Sequence, residues 1–230
     1  MKTYKHIFFD LDRTLWDFDS NSRAALTDVF EIHQLARYFE SPEPFINGYH
    51  KHNEVLWDRY RQGTIKKELL RSLRFDLTLQ DVSVEDTDLA KAIGEDYLQL
   101  STEKTIIFPY THEILAYLHE KYPLYILTNG FRETQFSKMK NCDLSKYFHT
   151  VFTSETIGFN KPHPKIFQWA VSSVNGRKEE CIMIGDDIEV DIEGAKSYGI
   201  DQVFFNPERL ITESVPTYTI ESLSELRGIL

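Results

Sequence analysis

Short apolar runs, each stopped by a polar residue or a glycine, alternate along this chain with segments of helical period, and that alternation restricts the folds open to it. Runs of strand character lie at Ile7 to Leu11, Leu124 to Thr128, Thr150 to Ser154, Cys181 to Gly185 and Gln202 to Phe205. Between the later runs fall helical patterns at Glu113 to Glu120, Glu133 to Asn141, Lys165 to Val174 and Glu189 to Tyr198, the last closed by Gly199 as a C-cap. Strand-helix alternation of this kind predicts an α/β fold, a parallel sheet covered by helices on both faces. A final helix is expected through Ile220, Leu223, Leu226 and Leu230, returning to the core.

The crossover between the first two strands is much longer than one helix requires. It reads as several amphipathic helices: Leu26, Val29, Phe30 and His33 share one stripe, a second helix runs through Phe45 to Tyr60, and Leu89, Ile93 and Tyr97 mark a later one. The expected organisation is therefore a core from residues 1–15 and 102–230, with an all-helical insert over 16–101. A chain of 230 residues has room for both.

The formal net charge of -10 argues against a nucleic-acid polymer or an anionic membrane as partner. The two cysteines, Cys142 and Cys181, stand far apart and form neither a disulfide framework nor a metal-binding pair. No segment has the length of a membrane span or of a secretory signal, so a cytoplasmic location is expected.

Ligands of open parallel sheets bind beyond the carboxyl ends of the strands, so the residues that end each run carry the chemistry. The first run delivers Asp10 and Asp12, followed by Thr14. The second ends in Thr128-Asn129-Gly130, Lys161-Pro162 follows the third, and the fourth ends in Gly185-Asp186-Asp187 with Asp191 beyond. Carboxylates brought this close repel one another, and a hard divalent cation resolves the conflict. Mg²⁺ is expected on Asp10 and Asp186 with the Asp12 backbone carbonyl, while Asp187 and Asp191 act through water or behind the ligands.

A carboxylate can also accept a phosphoryl group, dividing one difficult displacement into two easier ones. Asp10 suits that role, and Asp12, two residues on, suits proton transfer to the leaving group and later from water. Thr128 and the backbone around Asn129 and Gly130 suit phosphoryl oxygens, and Lys161 adds positive charge. Each piece alone reads equally well as a turn, a cap or a surface lysine. Their joint occurrence in one order, each after a strand-like run, favours the chemical reading.

The order Asp-x-Asp-x-Thr, Thr-Asn-Gly, Lys-Pro, Gly-Asp-Asp resembles the haloacid-dehalogenase-like hydrolases, and the resemblance spans the chain. It implies a Rossmann-like core with a helical cap inserted after the first strand. It also implies Asp10 as nucleophile, Asp12 as acid and base, Thr128 and Lys161 as a phosphate clamp, and Asp186 as a metal ligand. The presence of Asp12 implies a phosphatase rather than a dehalogenase, which has no alkoxide to protonate. The segments Thr14 to Ser20, Leu56 to Ile65, Leu127 to Phe131 and Ser154 to Pro162 are similar to noncanonical pyrimidine nucleotidases, although Phe159-Asn160 stand where small residues are expected. The implied substrates are pyrimidine nucleoside 5'-monophosphates, for which Trp16, Phe18, Trp57 and Tyr60 are candidate stacking residues. The basic residues Lys66, Lys67 and Arg71 to Arg74 read as a solvated helix face.

Alternatives are a sugar-phosphate phosphatase or phosphomutase of the same superfamily, a 2-haloacid dehalogenase, and a phospho-aspartate signalling module. In receiver modules the acidic pair precedes the phosphorylated aspartate, whereas here Asp186-Asp187 follows Lys161. An inactive scaffold is disfavoured because every catalytic position is occupied.

Overall fold

A computed structural model of the protein describes residues 3–230. Along the chain, β1 (His6–Phe9) is followed by helices α1 (Phe18–Ile32), α2 (Pro42–Arg61), α3 (Lys67–Gln80), α4 (Thr87–Glu103) and α5 (Thr111–His119). Then come β2 (Leu124–Thr128), α6 (Arg132–Asn141), β3 (Phe148–Thr153), α7 (Ser154–Ile157), α8 (Pro164–Ser173), β4 (Cys181–Gly185), α9 (Gly194–Tyr198), β5 (Asp201–Phe205) and β6 (Tyr218–Ile220). The chain divides into two compact units, one running up to Phe18 and from Thr105 onward, the other formed by Asp19–Lys104.

The first unit is built on a six-stranded parallel sheet in the order β3-β2-β1-β4-β5-β6. Its central strands β1, β2 and β4 read as near-continuous apolar runs because both faces are covered. Ile7, Phe9, Leu124, Ile126, Ile182 and Ile184 enter one core, while Phe8, Tyr125, Leu127, Cys181 and Met183 enter the other. Register keeps like with like: Phe8 pairs with Tyr125 on one side and Met183 on the other. The strand order reverses at β1, since β2 and β3 build outward one way and β4 to β6 the other. Such a reversal opens a crevice at the carboxyl ends of the central strands, and Asp10 stands there.

The second unit packs its helices around Leu26, Val29, Phe30, Phe45, Tyr49, Phe75, Leu79, Ile93 and Tyr97. Phe75 is its hub, with ring centroids 6.4 Å from Phe45, 5.2 Å from Tyr49 and 5.5 Å from Tyr97. A side chain at Gly94 would come within 3.0 Å of the Arg71 carbonyl oxygen, so a glycine there lets α3 and α4 approach closely. Among the described residues, no helix is long and apolar enough to cross a membrane.

Several expectations require correction. The C-terminal helix is replaced by β6, ending at Ile220, and a short 3₁₀ turn over Leu223–Gly228. Tyr218, Thr219 and Ile220 instead complete the sheet against β5, and a capping box from Ser222 and Glu225 starts the turn after them. The helix expected over Glu189 to Tyr198 begins as a wider π-helical turn, Ile188–Glu193, before α9. Arg74 does not lie on a solvated face. It is buried at 5% exposure, its guanidinium donates to the Tyr49 hydroxyl (3.0 Å) and Asn53 Oδ1 (2.9 Å), and it lies 5.0–5.3 Å from the rings of Tyr49, Phe75 and Tyr97. Aromatic faces and neutral acceptors make that burial tolerable for a weakly hydrated guanidinium. Trp16 is 1% exposed in the first unit's core, so it is packing rather than an open stacking surface.

Truncating the aromatic hub tests this packing. Phe75→Ala is expected to cost about 3–5 kcal/mol, the usual range for emptying a buried aromatic site. Denaturant titration followed by far-ultraviolet circular dichroism should show the helical signal lost at lower denaturant.

Candidate active site

Asp10 continues β1 by one residue, its backbone N–H donating to the Ile184 carbonyl of β4 at 2.9 Å. The chain then leaves the sheet in a tight turn: Leu15 and Trp16 both donate to the Leu11 carbonyl (3.0 and 2.9 Å), and Arg13 adopts a left-handed conformation with φ 60°. Such backbone is costly for a non-glycine residue and persists only where its surroundings enforce it. Here the turn aims the Thr14 hydroxyl at Asp186 Oδ1, 2.7 Å away.

Beyond the end of β4, Asp187 supplies the local reason for the wide turn that follows. Its Oδ1 accepts from the N–H groups of Glu189 (3.0 Å) and Val190 (2.9 Å), capping the turn, and Ile192 donates to the Asp187 carbonyl five residues back at 3.2 Å. Asp191 is thereby folded back over the strand end. A Cβ at position 185 would stand 2.2 Å from Asp191 Oδ2, so only glycine fits there.

Lys161 joins these strand ends. Its ammonium is 1% exposed and donates to Asp10 Oδ1 at 2.8 Å and Asp191 Oδ1 at 2.6 Å. Asn129 fixes the lysine backbone from both sides, accepting from its N–H at 2.7 Å and donating to its carbonyl at 2.9 Å. Thr128, buried at the end of β2, accepts from the Gly130 N–H at 3.0 Å. Asn129 thus touches the backbone of Lys161, a positioning contact that motif spacing alone did not specify.

Oxygens of Asp10, Asp186 and Asp191 lie within 4.8 Å of one another. Burial raises the proton affinity of all three. Asp10 is raised by burial, against the lowering effect of Lys161. Asp186 is raised well above the usual carboxylate value by burial and by the charges of Asp191 and Asp10. Asp191 is pushed up to about 7 by burial, with Lys161 opposing and Asp10 adding. Burial disfavours the Lys161 ammonium, but the two aspartates outweigh it and hold the lysine above its usual value. One ammonium among three converging carboxylates leaves negative charge uncompensated, and an all-oxygen donor set of this kind fits a hard divalent cation.

Within the first unit, Asp12 and Asp187 separate from that cluster. The Asp12 side chain turns toward α6, where Lys138 Nζ donates to Oδ1 at 2.5 Å and Gln135 Nε2 to Oδ2 at 2.7 Å. Asp187 is engaged in capping. Trp57 and Tyr60 belong to the second unit and pack edge to face on each other, with centroids 5.5 Å apart. Gln135 and Lys138 were not among the sequence candidates. Their only signal was polar residues three apart within a helix that is polar almost throughout.

The chain belongs to the haloacid dehalogenase-like hydrolase family, whose pattern matches residues 4–199. It is 30% identical to the pyrimidine 5'-nucleotidase PynA of Streptococcus pneumoniae over 97% of this chain and 93% of that protein. It is likewise 30% identical to the pyrimidine 5'-nucleotidase YjjG of Escherichia coli, over 97% and 96%. The magnesium-bound crystal structure of the Bacillus subtilis protein YfnB superposes with a TM-score of 0.90 at 27% identity, covering 99% of both chains.

The acidic cluster has a consequence for stability. A carboxyl whose folded proton affinity is raised stabilises the fold fully below its unfolded value and loses that contribution as pH rises through the folded value. For Asp191 the window runs from the ordinary 3.8 up to about 7. In EDTA, the melting temperature is therefore expected to fall between pH 5 and pH 8, less steeply in Asp191→Asn. Adding a divalent cation at pH 8 should recover the loss; scanning calorimetry across this range checks it.

Proposed function

We propose that this protein is a Mg²⁺-dependent phosphomonoesterase that acts through an aspartyl-phosphate on Asp10, with pyrimidine nucleoside 5'-monophosphates as its substrates. The observation that carries the reading is the buried Lys161 ammonium shared by Asp10 and Asp191 beside Asp186. The family membership supports the reaction class, and the nucleotidases PynA and YjjG support the substrate class.

In this reading an Asp10 carboxylate oxygen attacks phosphorus and the bond to the leaving oxygen breaks, while Asp12 delivers a proton to that oxygen. Water then attacks the phosphorus of the acyl phosphate, Asp12 takes its proton, and the Asp10 carboxylate and inorganic phosphate are released. Lys161 holds Asp10 in place and offsets charge on the phosphoryl oxygens, with the Thr128 hydroxyl and the backbone N–H groups of Asn129 and Gly130 as further donors. Asp10, Asp186 and the Asp12 backbone carbonyl, with Asp191 behind them, would hold Mg²⁺, which would supply charge neutralisation at the phosphoryl group. Cys142 and Cys181 are free and buried, which suits the reducing cytoplasm as location.

Asp10→Asn is expected to abolish phosphate release while leaving the circular dichroism spectrum unchanged. Asp12→Asn should lower turnover roughly 10²–10⁴-fold, the span typical of a positioned acid or base. Chelation with EDTA should stop the reaction until Mg²⁺ returns. On a substrate panel, dUMP, UMP and dTMP should release phosphate faster than hexose phosphates; the reverse order would overturn the substrate assignment while leaving the reaction class standing.

A further inference from the structure

We propose that Gln135 and Lys138 are positioning residues for the phosphatase reaction, a two-point clamp on α6 that holds the Asp12 carboxyl in the orientation from which it serves the leaving group. The inference rests on the acid and base role read for Asp12 above.

Three features of the structure carry it. Both oxygens of Asp12 are held, Oδ1 by Lys138 Nζ at 2.5 Å and Oδ2 by Gln135 Nε2 at 2.7 Å. Residues three apart on a helix lie on one face, so a single helix supplies both donors in a fixed relation. A carboxyl oxygen offers more than one lone-pair direction, so these contacts leave room for the proton Asp12 must carry.

Second, both donors are buried, Gln135 at 1% and Lys138 at 4% exposure. The ammonium sits 3.8 Å from the centroid of the Trp16 ring, and among the described residues Asp12 is its carboxylate partner. A surface ion pair between two flexible side chains would contribute little. Burying a lysine beneath a tryptophan to reach one half-buried aspartate is a costly arrangement for stability alone, because replacing such a pair with apolar residues is often neutral or better.

Third, the backbone makes way for the contact. A Cβ at position 130 would stand 1.5 Å from Gln135 Nε2, so the glutamine passes through space that only a glycine leaves open. Gly130 therefore has a role apart from any contact with phosphate: it opens the route by which Gln135 reaches Asp12.

The test separates help to the leaving group from general damage. For p-nitrophenyl phosphate the departing oxygen needs little protonation, whereas for phenyl phosphate it needs more. In kcat/KM, which reports the first phosphoryl transfer, Asp12→Asn should lose far more on phenyl than on p-nitrophenyl phosphate. Lys138→Met and Gln135→Met should show the same asymmetry, with losses on phenyl phosphate approaching the 10²-fold that small misplacements cost. Lys138→Arg should recover part of the loss. Added to Asp12→Asn, neither methionine substitution should lower the rate further, because the group it positions is gone.

Equal losses on both substrates, a further loss in the Asp12→Asn background, or a gain on phenyl phosphate would overturn the clamp while leaving Asp12 as acid and base. An Asp12→Asn enzyme without the asymmetry would remove the role of Asp12, and the clamp with it. The two donors make separate bonds, so Gln135→Met alone decides the matter if Lys138→Met does not fold, as judged by its melting curve.

Discussion

The buried ammonium of Lys161, shared between Asp10 and Asp191, is the interaction on which the rest of the first unit's strand ends depend. Asp10 belongs to the end of β1, Asp191 to the turn after β4, and Lys161 to the loop after α7, so one side chain ties together segments far apart in sequence. Its burial would be prohibitive without both carboxylates, and theirs would be equally costly without the lysine. Local backbone is arranged to keep the triad intact. Asn129 grips the lysine main chain on both sides, and Gly185 leaves the space that the Asp191 carboxylate occupies.

Five aspartates crowd the carboxyl ends of β1 and β4, and the structure gives them different work through their surroundings. Asp10, Asp186 and Asp191 converge in a poorly solvated pocket, where proton affinity rises and a divalent cation is the natural counter-charge. Asp187 is taken up by two backbone N–H groups and determines the shape of the turn. Asp12 points away from that cluster to α6, against an ammonium and an amide. Residues of one chemical type thus come to stand in a converging cluster, at a capping position and in an ion pair, through burial and partners alone.

The second unit shows the same economy with a cation. Arg74 lies beneath Tyr49, Phe75 and Tyr97 with the neutral acceptors Tyr49 and Asn53, a position open to guanidinium because it is planar and weakly hydrated. A lysine at that place would leave a compact, strongly hydrated charge facing aromatic rings.

The sequence by itself determined the alternation of strands and helices and the strand ends at which the acidic, Thr-Asn-Gly and Lys-Pro residues stand, because these depend on local periodicity and on what a strand end presents. β2 and β4 match their apolar runs residue for residue. The C-terminal segment was misjudged because Ile220, Leu223, Leu226 and Leu230 have a helical spacing, while the open edge of β5 offered hydrogen bonds that a spacing argument does not weigh. Only the tertiary structure decided which aspartates face one another, that Asp191 joins the cluster while Asp187 caps, that Asn129 holds Lys161, and that Gln135 passes over Gly130 to reach Asp12. Those outcomes depend on distances between residues remote in the chain, and no local pattern encodes them.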